Sequence, residues 1–262
     1  MIVTRIKTNI NTLMARLSFF QRHKCNFCSS KIRNFLPYRG GWKNQPALMK
    51  LLCFTGSDVE NFSCPVCGAH DRERHLRMYM DKLEVTAKFK DAIILHFAPE
   101  KMLSTYIAQH NPSMYIKADL FPTVPDITEI NMLNIPYHEN YFDFVIANHV
   151  LEHVGDFHKA LFEIHRVLKI GAYAILQTPF SSRLHCTIED KGVDTDTLRL
   201  EIYGQEDHVR LFGKDVFNMI TAAGFISHGG THQELLSKVD AKYWGVNMNE
   251  PFFLFEKREL HD

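Results

Sequence analysis

The chain has 262 residues, of which 45% are hydrophobic and 23% are charged, an ordinary globular composition with room for one α/β core and a small extra module. Lysine and arginine number 30, and so do aspartate and glutamate, so the balanced charge disfavours a partner such as bulk nucleic acid. No apolar run approaches the length of a transmembrane helix.

The first 24 residues carry basic side chains and no acidic ones: Arg5, Lys7, Arg16, Arg22 and Lys24. Arg16 interrupts the apolar core that a signal peptide would need, so the sequence predicts no export signal. Two interpretations of this leader stay open, a basic amphipathic helix that touches a membrane or a partner and a plain solvated segment. The cysteines of a chain without an export signal favour a cytoplasmic location.

Four cysteines fall in two Cys-x-x-Cys pairs, Cys25 with Cys28 and Cys64 with Cys67. Four thiolates are the number and the soft ligand type that a tetrahedral structural zinc ion prefers. The glycines and proline of residues 40–46 predict a hairpin or loop between the pairs. Two disulfides in an exported protein and unrelated free thiols are the alternatives. Because four cysteines close the coordination sphere, we predict a structural Zn²⁺ site rather than a catalytic one.

Residues 72–83 follow at once and are predicted to form a helix. Its apolar members recur at helical spacing and predict packing against the main domain: Leu76, Tyr79, Met80 and Leu83. Its arginines could reach a ligand or pair with acidic residues, but the spacing favours a solvated helix face: Arg72, Arg74 and Arg77.

Strands and helices then alternate. A buried strand is predicted over residues 92–97, followed by a turn and a helix over residues 102–109. A second strand, residues 114–118, ends in Asp119. Near the end of the chain, a helix of residues 214–223 precedes two further strands, residues 225–228 and 252–256.

The most informative stretch reads strand, loop, helix, strand. The strand is residues 142–147, the helix begins near Asp156 and is closed by Gly171, and a second strand covers residues 172–177. A strand–helix–strand unit of this length requires a parallel sheet with a right-handed crossover.

The segments FDFVIANHVLEHV (residues 142–154) and RVLKIGAYAILQTP (residues 166–179) resemble the fourth-to-fifth-strand region of class I S-adenosylmethionine-dependent methyltransferases. The paired Cys-x-x-Cys, LHFAPE, HVLEH and GQEDHVR together resemble a group of bacterial methyltransferase-like proteins. The resemblance implies a Rossmann-like, seven-stranded, mostly parallel α/β sheet with an antiparallel last strand. We therefore expect residues 1–80 to hold the leader and the zinc module, and residues 81–262 to form the methyltransferase domain.

The resemblance also implies where S-adenosylmethionine would bind. Its methionine end would contact the loop after the first strand, its ribose Asp119, and its adenine Asp126 and Ile127, with Asn148 beside the methyl group. The loop residues are His96, Phe97, Ala98, Pro99 and Glu100. The loop lacks the family's glycines, which argues against NAD or FAD because a dinucleotide phosphate needs them for close approach. Asp119 could instead cap a turn, and Asp126 could begin a short edge strand.

Three histidines are candidates for a general base or for shaping the pocket: His149, His153 and His208. His149 and His153 follow a strand, at the edge where ligands of open α/β sheets bind. Together with Glu152 they resemble an inverted zinc-protease motif, but that motif needs a longer helix and this stretch directly follows a strand. His208 and Arg210 could face an acceptor, and a local Asp207–Arg210 ion pair is the alternative.

The sequence thus predicts a methyltransferase that uses S-adenosylmethionine, carries structural zinc and methylates a small molecule or sugar, at a hydroxyl. Two alternatives stay open. One is a non-catalytic adaptor that retains the fold, suggested by the missing glycines. The other is an RNA-modifying methyltransferase in which the zinc module and its neighbouring arginines contact RNA.

Overall fold

A computed structural model describes residues 22–259. The predicted basic leader, apart from its last three residues, lies outside the described residues, and both interpretations of it stay predictions. Within residues 22–259, no helix has both the length and the apolar character that crossing a membrane requires.

The described strands are β1 (His23–Lys24), β2 (Lys31–Ile32), β3 (Phe54–Thr55), β4 (Ile93–Phe97), β5 (Met114–Asp119), β6 (Thr128–Glu129), β7 (Phe142–Ala147), β8 (Leu168–Ile175), β9 (Phe180–Ser181), β10 (Phe225–Ser227) and β11 (Leu254–Lys257). The described α-helices are α1 (Ala47–Leu51), α2 (Asp71–Lys82), α3 (Lys101–Ala108), α4 (Phe157–Val167), α5 (Asp196–Tyr203), α6 (Val216–Ala222), α7 (His232–Leu235) and α8 (Ala241–Trp244).

Seven of the described strands form one sheet in the order β10–β11–β8–β7–β4–β5–β6. Neighbouring strands are parallel except at β11, which runs antiparallel to both β8 and β10. The prediction of a Rossmann-like, mostly parallel sheet with an antiparallel last strand is confirmed.

The unit from β7 to β8 folds as predicted, with one correction. The Asp156 side chain accepts a hydrogen bond from the Lys159 amide and caps the start of α4. The prediction that Gly171 closes the helix is wrong, because α4 ends at Val167 and β8 begins at the next residue. Gly171 lies within β8 at φ +74°, where the pairing with β7 shifts register. The glycine therefore permits an irregularity in the strand.

Each face of the sheet carries a buried apolar cluster, because alternate residues of a strand point to opposite sides. Leu95 of β4 and Val145 of β7 belong to the cluster that includes α4 and α6. Ile94 and Phe144 belong to the cluster that includes α2 and α3. The predicted packing of the helix of residues 72–83 against the main domain is therefore confirmed.

The prediction of a solvated polar face on this helix is wrong. Arg74 is fully buried and donates to backbone carbonyls of the surrounding turns, namely those of Asn61, Phe62, Ala69, Trp244 and Gly245. Arg77 lies 4.4 Å from the Tyr106 ring centroid and donates to the Asn26 carbonyl at 2.6 Å. Turn carbonyls that are withdrawn from water need donors, and these guanidinium groups supply them.

Candidate active site

The loop after β4 makes a sharp turn without a glycine. Ala98 takes a left-handed backbone conformation at φ +45°, which residues other than glycine rarely adopt. Its amide donates to the Ala118 carbonyl of β5 at 2.8 Å. The turn that the missing glycines would ordinarily allow is therefore retained, at the cost of backbone strain at one alanine.

Glu100 lies at the end of this loop and meets side chains from three elements. Its Oε1 accepts a hydrogen bond from Asn148 Nδ2 at 2.7 Å and lies 3.4 Å from Arg72 Nε of α2. Its Oε2 lies 3.6 Å from His96 Nε2. Burial opposes the charged carboxylate, but His96 and Arg72 outweigh burial and lower the pKa of Glu100. The structure thus brings three predicted cofactor residues together: His96, Glu100 and Asn148.

Four buried polar atoms around Glu100 have no hydrogen-bond partner among the described residues: Arg72 Nε, His96 Nε2, Glu100 Oε2 and Asn148 Oδ1. Buried polar groups in folded proteins are nearly always paired. The set mixes a cationic donor with acceptors, which fits a ligand that carries both an ammonium and a carboxylate group.

Glu73 ties this loop to the cysteine-bearing segment. Its Oε2 accepts a hydrogen bond from the His70 amide at the start of α2, at 2.7 Å. Its Oε1 accepts one from the Leu103 amide in the first turn of α3, at 3.1 Å. One buried carboxylate therefore joins the N-terminal ends of both helices.

Asp119 is the last residue of β5, beside the turn at Ala98. Its Oδ1 accepts a hydrogen bond from the Phe121 amide at 2.8 Å, which is the turn-capping bond of the alternative interpretation. The following side chains expose apolar surface, with Leu120 46% and Phe121 79% accessible. Asp119 thus caps a turn at the strand end that the ribose prediction requires, and that prediction stays open.

The premise for assigning Asp126 and Ile127 to the adenine is wrong. That assignment requires residues that follow the third strand, whereas both residues precede β6, the third strand in the sequence of the sheet. Asp126 is exposed and paired with Lys117. The polar side chain just past β6 is Asn131, whose Oδ1 accepts a hydrogen bond from the Leu133 amide at 2.8 Å. Sequence reasoning missed it because β6 is too short to show a period.

Residues 92–176, from the start of β4 to the end of β8, match the sequence model of a family described as a methyltransferase domain. The mostly parallel sheet of seven strands, with its antiparallel last strand, is the one that the resemblance implied. The matched residues therefore form a methyltransferase domain.

Two solved structures illustrate the similarity of the methyltransferase to known proteins. An S-adenosylmethionine-dependent methyltransferase from Mesorhizobium loti is 12% identical, over 68% of this chain and 96% of that one, with a TM-score of 0.47. The 1,6-didemethyltoxoflavin-N1-methyltransferase of Burkholderia thailandensis, whose crystal structure contains 1,6-didemethyltoxoflavin and S-adenosylhomocysteine, is 11% identical over 70% and 80%, with a TM-score of 0.45. No protein with a curated description matches the sequence.

A cavity of about 500 Å³ lies at the carboxyl end of β7 in the methyltransferase. One wall comes from the N-terminal segment, with Tyr38 and Phe62, and the other from residues 200–207. The base presents His149 and His153, and Arg72 extends from α2 into the same space. This size is typical of small-molecule sites.

His149 and His153 stand at this base in different environments. His149 is buried with a left-handed backbone at φ +56°, and its Nε2 donates to Glu250 Oε1 at 2.8 Å. Burial alone would lower the pKa of His149, but Glu250 outweighs burial and raises it. His153 is about one-third exposed, and its Nδ1 donates to the Asp207 carbonyl at 3.2 Å. Glu250 was missed from the sequence because it lies far along the chain, in an irregular segment.

His208 is buried beside His153 rather than in the cavity wall, and burial lowers its pKa. The alternative interpretation, a local ion pair between Asp207 and Arg210, is wrong. Arg210 pairs with Glu189 at 2.8 Å and donates to carbonyls of the loop after β7, namely those of Leu151, Val154 and Gly155. Arg210 therefore fastens that loop and does not face the cavity.

The four predicted metal ligands form one cluster: Cys25, Cys28, Cys64 and Cys67. The Sγ atoms of Cys25 and Cys67 lie 3.7 Å apart, and those of Cys28 and Cys64 lie 3.8 Å apart. A tetrahedron with Zn–S bonds of about 2.3 Å has edges of about 3.8 Å, so the thiols fit such an ion. The disulfide alternative does not hold, because every described cysteine is a free thiol.

Proposed function

We propose that the protein transfers a methyl group from S-adenosylmethionine to a hydroxyl of a small molecule or sugar bound in the 500 Å³ cavity. The observation that carries this proposal is the position of the cavity. It lies at the carboxyl end of β7, where ligands of open α/β sheets bind, and it shares Arg72 with the loop that ends in Glu100. Its mixed wall of aromatic rings and imidazoles suits a polar molecule of modest size.

The geometry of the loop supports the proposed cofactor-binding residues. Asp119 would hold the ribose hydroxyls, and residues 96–100 would surround the methionine end. Glu100 Oε2 and Arg72 Nε, both without a hydrogen-bond partner among the described residues, would receive the ammonium and the carboxylate. Asn131 would replace Asp126 as the polar contact for adenine.

When bound, S-adenosylmethionine would supply a sulfonium methyl group that the acceptor oxygen displaces in line, with the C–S electron pair remaining on sulfur. The protein's own task is then chiefly proximity and orientation. The acceptor proton would pass to an imidazole at the cavity base, where His149 and His153 are placed.

The cysteine cluster would hold a structural Zn²⁺ ion, since it offers a closed set of four sulfur ligands. We also propose that residues 1–80 and 81–262 are the two units of the chain, and that it works in the cytoplasm, where its six cysteines would stay reduced. The RNA alternative is disfavoured, because the arginines that it requires already contact other groups of the protein: Arg72, Arg74 and Arg77.

Calorimetric titration with S-adenosylmethionine and separately with NAD tests the proposal. We expect micromolar binding of the first compound alone, weakened in Asp119→Ala. An absence of binding to folded wild-type protein would favour the adaptor alternative. Methyl-labelled cofactor offered with sugars, small alcohols or RNA then identifies the acceptor class, and methylation of RNA alone would contradict the proposal.

A further inference from the structure

A second cluster of metal-ligating side chains lies behind the cavity base. Glu152, His153 and His208 each place one ligand atom so that all three atoms lie within 4.8 Å of one another. Glu152 Oε1 and His153 Nε2 are 3.8 Å apart. A divalent ion with bonds of about 2.1 Å needs ligand atoms about 3.3 Å apart, so side-chain movements of about an ångström would complete the site.

The hydrogen bonds of the two imidazoles free the nitrogens that a metal would need. His208 Nδ1 donates to the Tyr203 carbonyl at 3.0 Å, and His153 Nδ1 donates to the Asp207 carbonyl. Each Nε2 is left with its lone pair. His208 is 1% exposed, and its Nε2 has no partner among the described residues. Metal-binding histidines characteristically donate their other nitrogen in this way.

The Glu152 carboxylate also has one oxygen atom available as a metal ligand. Glu152 is 2% exposed, and its Oε2 accepts a hydrogen bond from Thr178 Oγ1 at 3.0 Å. Its Oε1 lies between the two imidazoles of the cavity base, 3.6 Å from His149 Nδ1 and 3.8 Å from His153 Nε2. The backbone holds the two ligand-bearing segments together, since the Val209 amide donates to the Glu152 carbonyl at 3.0 Å. Arg210 stabilises the loop after β7 by donating a hydrogen bond to the Leu151 carbonyl.

We infer that Glu152, His153 and His208 bind a divalent transition-metal ion at the base of the cavity. Two imidazoles and one carboxylate favour ions such as Zn²⁺, Fe²⁺ or Co²⁺ over Mg²⁺ and leave coordination positions open. Because His153 and Asp207 line the cavity, an open position faces the acceptor.

This site deepens the proposed function, although metal binding itself does not depend on it. An acceptor hydroxyl coordinated here would lose its proton more readily, because a bound divalent cation lowers the pKa of an oxygen ligand. His153 would then act as a metal ligand, and His149 would remain as the imidazole that takes the proton.

Cobalt titration tests the inference. Full-length protein with zinc in its cysteine cluster is dialysed against a mild chelator, and zinc is measured by plasma mass spectrometry. Co²⁺ is then added while absorption is recorded. We expect a second metal equivalent with weak visible bands and no strong sulfur-to-cobalt absorption. The affinity should fall more than about 100-fold in His153→Ala and Glu152→Gln. His158→Ala, on an exposed side chain of α4, is the matched control and should bind like wild type.

The inference is overturned if folded wild-type protein takes up no second equivalent, or if His153→Ala binds cobalt as tightly as His158→Ala does. His153 is partly exposed, so its variant should fold even if Glu152→Gln does not. Cofactor binding is measured on the same samples. Loss of cobalt uptake with cofactor affinity intact separates failure of this site from failure of the methyltransferase proposal.

Discussion

His149 Nε2 donates to Glu250 Oε1 across 2.8 Å, although the two residues lie 101 positions apart in the chain. Both side chains are almost completely buried. The hydrogen bond joins the loop after β7, which carries His149, to the segment before β11, which carries Glu250. It therefore holds the base of the cavity in place.

The first prediction concerns this pair. Glu250→Gln removes the charged acceptor of the buried hydrogen bond from His149, so the free energy of unfolding should fall by about 2 kcal/mol in urea titrations. Glu206→Gln is the matched control, because Glu206 pairs with Arg39 on the surface and its loss should cost less than about 1 kcal/mol. Equal losses in the two variants would contradict the assigned role of Glu250.

The second prediction separates the two candidate adenine contacts. Asp119→Ala and Asn131→Ala should each weaken S-adenosylhomocysteine binding about tenfold or more, since each would remove a polar contact that we propose for the cofactor. Asp126→Ala should change the affinity less than about twofold, because its carboxylate is exposed and paired with Lys117. Calorimetry measures all three, and a loss confined to Asp126→Ala would restore the original assignment.

The third prediction tests the cysteine cluster. Cys64→Ser should abolish stoichiometric zinc in plasma mass spectrometry and lower Tm by at least about 10 °C, because the ion contributes folding free energy directly. Cys186→Ser, at an exposed thiol outside the cluster, should leave both values unchanged. Wild-type protein that folds equally well after complete metal removal would refute the structural role.

The fourth prediction is a pH dependence. Burial raises the pKa of Asp71 from 3.8 to about 7. At a pH below the pKa of Asp71 in the unfolded chain, the carboxyl group is protonated in both the folded and the unfolded state. Above it the unfolded chain releases the proton first, so this residue's contribution to stability falls until the folded pKa is passed. Between pH 5 and pH 8 the loss is about 3 kcal/mol.

Asp71→Asn has no titrating carboxyl group at this position. Its free energy of unfolding should therefore fall less than that of wild type between pH 5 and pH 8, and the difference should equal the loss that Asp71 causes. Asp194→Asn, at an exposed position, provides the comparison. Comparing variants removes the separate effect of pH on the cysteine thiols. The idea fails if the two variants show the same pH dependence.

The elements that could be predicted from the sequence are those whose information is local. β7 is a short apolar run, α4 has a clear helical period and a capping aspartate, and the spacing of the Cys-x-x-Cys pairs is itself typical of metal ligands. Asn131 escaped notice because β6 has only two residues and shows no alternation. Arg74 was assigned to solvent because the carbonyls that it satisfies come from turns that only the folded chain brings around it. Glu250 was invisible for the same reason.

Glu73 couples the cysteine cluster to the loop after β4. Helix α2 begins four positions after Cys67, and its Glu73 side chain holds the first turn of α3, while Arg72 reaches Glu100. An ion that orders the cysteines therefore also orders the groups that would grip the cofactor. Such linkage is reciprocal: by whatever factor the ion tightens cofactor binding, the cofactor tightens retention of the ion. Metal supply would then set how much of the protein is ready to bind its cofactor.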